Sequence, residues 1–177
     1  MPRYVAFLRA INVGGHIVKM DRLRGLFEEI RLANVETFIA SGNVLFDSAA
    51  AKTDILERRI ERHLEAALGY EVPTFVCIVR DLAAVTKSHP FADANDEGNS
   101  LWIGFLKSPP AVGQVAKFLG HRTADDEFHV NDRHAYWFRR GRMSDSKITG
   151  KSLEKAIGSP FTFRNVTTVT KLAAMGR

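Results

Sequence analysis

Three short stretches of this chain set glycine and polar residues inside apolar surroundings, and any binding chemistry must be sought there first. The earliest is Arg9-Ala10-Ile11-Asn12-Val13-Gly14-Gly15, which leaves an apolar run and leads into a helical one. Glycines let backbone N–H groups close on an anion, a following helix start favours negative charge, and Arg9 adds a fork of donors. The glycine spacing of a dinucleotide fingerprint and the Lys-Ser/Thr pair of a P-loop are both missing, so a plain tight turn stands beside the anion site as a reading. The second stretch is Ser41-Gly42-Asn43, a polar tip between apolar runs, where turn geometry alone would explain Gly42 and Asn43. The third is Thr162-Phe163-Arg164-Asn165 with Thr168, before the last helical pattern. There Thr162 or Asn165 suits a helix cap, and Arg164 suits either a carboxylate or an anionic ligand.

Charge adds a fourth candidate. Residues 1–135 carry 16 Lys/Arg against 18 Asp/Glu, whereas 136–177 carry 9 against 2, so the net charge of +5 belongs to the last quarter. Within it, Gly141-Arg142-Met143-Ser144-Asp145-Ser146-Lys147 follows Arg139 and Arg140, a basic loop suited to a phosphate-bearing partner or simply to solvent. Tyr136-Trp137-Phe138 followed by two arginines has the flavour of an RNA-stacking strand, although no segment matches the RNP consensus. Other patterns carry less. Ser144 and Lys147 stand as S-x-x-K without the companion motifs of penicillin-recognising enzymes, the six histidines show no metal-ligand spacing, and Asp125-Asp126-Glu127 reads as a solvated turn.

Elements must position these residues. With 177 residues, 45% of them hydrophobic, the chain can bury a real core. No apolar run reaches the roughly 18 residues of a membrane span, the start lacks the design of a signal peptide, and the single Cys77 lies in an apolar run, so a cytoplasmic location without a membrane partner is expected. RYVAFLRAI reads as a strand closed by Gly14-Gly15, and a helix follows with Asp21 as N-cap and Leu23, Leu26, Phe27 and Ile30 on its inner face. ETFIASGNVLFDS reads as a hairpin, the stretch from Thr53 to a stop at Gly69 as a helix capped by Thr53, and PTFVCIV as a strand. SLWIGFL, AVGQVAKFL, EFHVNDRHAYWFRR turning at Asn131-Asp132, KSLEKAI and PFTF repeat that order, and NVTTVTKLAAM forms a last helix. The predicted fold is therefore α+β: two ferredoxin-like (βαββαβ) subdomains, residues 1–95 and 96–177, packed together, with a C-terminal helix.

YVAFLRAINVGG, TFIASGNVLF and TFRNVTTVTKL, in this order and spacing, together with His89-Pro90-Phe91 and GRMSDSK, resemble the domain-of-unknown-function 1697 family of bacterial proteins over essentially the whole chain. The resemblance implies two intertwined ferredoxin-like subdomains and no activity. Two departures stand out. Arg31 replaces the glycine usual after the first helix, which carries a backbone penalty if its φ is positive. Arg164-Asn165-Val166-Thr167-Thr168 replaces RNWNT, which weakens any ligand role for Val166 and Thr167.

The expectation is a cytoplasmic protein binding a small anionic, phosphate-bearing ligand through Arg9, Asn12, Gly14, Gly15, Ser41, Gly42, Asn43, Lys147, Arg164 and Asn165. The alternatives are nucleic-acid binding through the basic final quarter and a structural or protein-interaction role. No motif names a cofactor or a metal, and nothing in the sequence sets the oligomeric state.

Overall fold

The computed structural model of the chain describes residues 1–39 and 42–176. Ser41 therefore lies outside the described residues. Contacts divide the chain into one unit of Met1–Ala83 joined by the stretch from Lys171, and a second unit of Ala84–Thr170.

The first unit runs β1 (Arg3–Leu8), α1 (Met20–Glu29), β2 (Ala33–Thr37), β3 (Asn43–Asp47), α2 (Thr53–Leu68) and β4 (Thr74–Ile78). Its sheet has the order β2-β3-β1-β4 and the β1–β3, β1–β4 and β2–β3 pairs are antiparallel, the ferredoxin-like arrangement. Alternate residues Tyr4, Ala6 and Leu8 of β1 meet Leu23, Leu26 and Phe27 of α1 and Leu56, Ile60 and Leu64 of α2 in one core. The intervening Val5 and Phe7 are also fully buried, so this strand is apolar without a break from Tyr4 to Leu8. Helix α2 does more than pack. Glu57 and Glu61 accept the backbone N–H groups of Val76 and Thr74, each at 2.9 Å, and so satisfy donors of the edge strand β4.

After a 3₁₀ turn (Val79–Asp81) and the short α3 (Leu82–Val85), the second unit repeats the plan. It comprises β5 (Ser100–Phe105), α4 (Val112–Leu119), β6 (Asp126–Asn131), β7 (His134–Arg139), α5 (Gly150–Ile157) and β8 (Thr162–Asn165). Sheet order is β6-β7-β5-β8, the same topology position for position. Trp137, Phe128, Phe118, Leu153 and Phe161 form its helix-side core. Helix α6 (Val166–Ala173) follows.

Local readings needed correction at three points. Lys19 and Lys52, neither with a capping side-chain bond, hold the N-cap positions of α1 and α2; Asp21 lies inside the first turn and Thr53 is the first helical residue. Asp21 still sits where a helix start favours an anion. The β6–β7 turn is Asp132-Arg133, one residue later than Asn131-Asp132, with Asp132 at φ +53°. Arg31 has φ +60°, the left-handed conformation for which a glycine would be suited.

Candidate functional site

At one end of the first unit, two loops meet. Leu8 N–H donates to the Gly42 carbonyl at 2.8 Å, and Arg9 N–H donates to the Pro73 carbonyl at 2.9 Å, which fixes the chain as it leaves β1. Gly42 is held so close that an added Cβ would stand 3.1 Å from the Leu8 carbonyl oxygen and 3.2 Å from Leu8 Cβ, with its own φ at +82°. Only glycine meets both demands. The hairpin turn thus lies beside the β1–α1 loop, a juxtaposition that the order of elements left open.

The loop beyond Arg9 folds on itself. Asn12 N–H donates to the His16 carbonyl at 2.7 Å, His16 N–H donates to the Val13 carbonyl at 3.1 Å, and Asn12 Oδ1 accepts Val18 N–H at 2.7 Å. Ala10, Asn12, Gly14 and Gly15 have φ of +64°, +57°, +59° and +87°, so the sign of φ alternates from Ala10 to Gly14 and stays positive at Gly15. Such alternation turns neighbouring N–H groups towards one side, the geometry of an anion-binding nest. Among the described residues, the N–H groups of Ala10, Ile11, Gly14, Gly15 and Ile17 find no protein acceptor. The space where Cβ atoms would lie on Gly14 and Gly15 is open. The His16 ring packs on Tyr70, centroids 3.9 Å apart. Asn43, by contrast, is buried, and its Nδ2 donates to the Phe38 carbonyl at 3.0 Å, a bond that closes the hairpin.

Of the expected site residues, Arg9, Asn12, Gly14, Gly15, Gly42 and Asn43 fall together at this end of the first unit, while Lys147, Arg164 and Asn165 belong to the second. Arg164 donates from Nη1 to Thr162 Oγ1 at 2.7 Å and to the Phe163 carbonyl at 2.9 Å. Burial pulls its pKa down to about 10, which leaves it a cation at neutral pH. Asn165 Oδ1 accepts Thr167 N–H at 2.7 Å, capping α6, and Lys147 is exposed on the loop before α5.

The basic quarter is less free than its composition suggests. Asp126, expected in a solvated turn, is 2% exposed and gathers four donors: Arg139 Nη1 and Thr123 Oγ1 at 2.7 Å, Trp137 Nε1 at 2.9 Å and Ser146 Oγ at 3.2 Å. Arg139 Nε then donates to the Arg142 carbonyl, so this network ties the GRMSDSK loop to the sheet. Arg140 pairs with Glu127 at 2.9 Å and Arg142 with Asp145 at 3.2 Å. Tyr136, Trp137 and Phe138 are all buried, hence no stacking platform. His89-Pro90-Phe91 packs within the second unit, Phe91 stacked on Phe138 at 5.1 Å. Burial lowers the pKa of His89 and His129, and no group of three or more His, Cys, Asp or Glu residues among those described could hold a metal ion.

These features define a tandem ferredoxin-like α+β protein with an exposed, glycine-bearing loop corner in its first unit. Residues 1–136 match the family described as "Protein of unknown function (DUF1697)", and the chain belongs to that family. A solved structure, the conserved bacterial protein SP0830 from Streptococcus pneumoniae, is similar over 99% of this chain and 98% of its own, with TM-score 0.77 and 24% identity, a likeness of fold. No curated protein matches the chain. Among the described residues no helix is long and apolar enough to cross a membrane.

Proposed function

We propose that this is a cytoplasmic binding protein for a small anionic, phosphate-bearing ligand, held at the corner between the β1–α1 loop and the β2–β3 turn. The observation behind it is excess chain. Between first strand and first helix the second unit uses six residues, 106–111, whereas the first unit uses eleven, 9–19; between second and third strands the second unit uses two, 132–133, and the first unit five, 38–42. The shorter connections suffice for the topology, and connections of that kind usually take about two to six residues. Both extensions lie at the same corner, where one carries Arg9 and the unbonded N–H groups of the alternating-φ segment. Arginine and backbone donors together are the ordinary means of holding phosphate.

Thermal-shift titration with inorganic phosphate and pyrophosphate tests this on wild type, Arg9→Ala, Gly15→Val and Lys147→Ala. Saturable stabilisation is expected for wild type and Lys147→Ala and is expected to be lost in the other two. An effect that vanishes with Lys147→Ala and survives Arg9→Ala and Gly15→Val would overturn the assignment.

A further inference from the structure

We infer that the ligand of this corner is amphipathic, an oxyanion joined to an aliphatic or aromatic body; this rests on the reading of the corner as an oxyanion site. Among the described residues seven large hydrophobic side chains are exposed, and three belong to these two loops: Val13 at 61%, Ile17 at 81% and Ile39 at 51%. Single exposed aliphatics are ordinary, but here they flank the segment whose donors are unbonded. Ile39 is a β-branched residue held at φ +57°, a strained conformation that is retained at ligand clamps and similar sites. Charge complements an anion: residues 9–19, 38, 39 and 42 include Arg9 and Lys19 and no Asp or Glu. Polar satisfaction is also incomplete at this point. Tyr70 Oη is the one buried side-chain oxygen without a partner among the described residues, and the ring that bears it is the one His16 covers. A buried hydroxyl without a partner marks a place where a further polar group belongs.

The inference is tested by calorimetric titration of the intact chain with methyl, propyl and hexyl phosphate below their aggregation concentrations. Affinity should rise about two- to fourfold per methylene from methyl to hexyl as apolar surface is covered. Val13→Ser/Ile17→Ser should flatten that series, weakening hexyl phosphate by more than methyl phosphate; both side chains are exposed, so the fold does not depend on them. Equal affinity for methyl and hexyl phosphate would overturn the amphipathic ligand and spare the oxyanion site. Absence of methyl phosphate binding in wild type, with hexyl phosphate also inert, would overturn both. Cosedimentation with phosphatidylglycerol vesicles without saturable hexyl phosphate binding would replace the soluble ligand with a membrane surface and so overturn the inference as well.

Discussion

The two units share strand order and helix placement and differ in two of their connections. In the second, Asp126, Arg139, Trp137, Thr123 and Ser146 are turned inward and bonded in one network, the β5–α4 and β6–β7 connections are short, and the loop expected to be a basic binding surface is tied to the sheet. In the first, the corresponding connections are long, with glycines and aliphatic residues exposed on them. The topology needs neither the length nor the exposure, since the second unit builds it without them. A duplicated architecture thus supplies its own control: what one copy does without is what the other can devote to binding.

The strongest way to break this contrast is to empty the second unit's network. Asp126→Asn leaves Arg139 buried without its counter-ion and should cost about 3–5 kcal/mol. Both tryptophans, Trp102 and Trp137, lie in this unit, so urea unfolding followed by tryptophan fluorescence reads it directly. Burial alone would raise the Asp126 carboxyl; hydrogen bonds from Thr123, Trp137 and Arg139, and the charge of Arg139, outweigh it and hold the group below its ordinary 3.8. A depressed carboxylate stabilises fully above its unfolded value and loses that contribution as pH falls through its lowered value. The gap between wild type and Asp126→Asn should therefore persist from pH 7 to about 4 and close below 3.8. A gap that widened in acid would show that the carboxylate is not the stabilising partner.

Glycines allow a smaller test of the same contrast. Gly42 combines φ +82° with backbone contact on Leu8, whereas Gly141 in the second unit has φ +106° and nothing within 4 Å of an added Cβ. Gly42→Ala should cost about 2–3 kcal/mol through conformation and contact together, and Gly141→Ala about 1 kcal/mol through conformation alone. Amide hydrogen exchange should show Gly42→Ala loosening residues 8–18, because the Leu8–Gly42 bond joins the two loops. Equal costs would mean that the close approach of Gly42 to Leu8 contributes nothing.

Element order and family were legible because strand apolarity and helical spacing are local properties: RYVAFL, the Leu56-Ile60-Leu64 stripe and SLWIGFL declare themselves. The corner was legible only in pieces. Arg9 to Gly15 and Gly42 drew notice as residue types, but their adjacency is a tertiary fact, and the meaning of loop length emerged only beside the second unit. The buried ion pair was hidden by register. Asp126 lies directly opposite Arg139 across the hairpin when the turn is Asp132-Arg133; a turn at Asn131-Asp132 would set Asp126 opposite Trp137 and leave an apparently solvated carboxylate. One residue of turn placement changes the partner of every cross-strand side chain.

The smallest expected effect concerns how the first helix of each unit ends. After α1 comes Arg31 at φ +60°, a left-handed conformation occupied by a side chain; α4 ends on Gly120 at φ −67°, where glycine's freedom is unused. Arg31→Gly should relieve strain in the folded state while making the unfolded chain more flexible, and the two partly offset, leaving a gain of about 0.5 kcal/mol. The Arg31 N–H bond to the Glu28 carbonyl, 2.8 Å, is kept because glycine retains the donor. Arg24→Gly, the same exchange within α1, should instead cost about 1–1.5 kcal/mol, since there glycine brings flexibility and removes the exposed ion pairs with Asp21 and Glu28. Opposite signs for the two variants in urea unfolding, followed by far-ultraviolet circular dichroism, would locate the strain at the helix end; a loss in both would mean that the Arg31 backbone is relaxed as it stands.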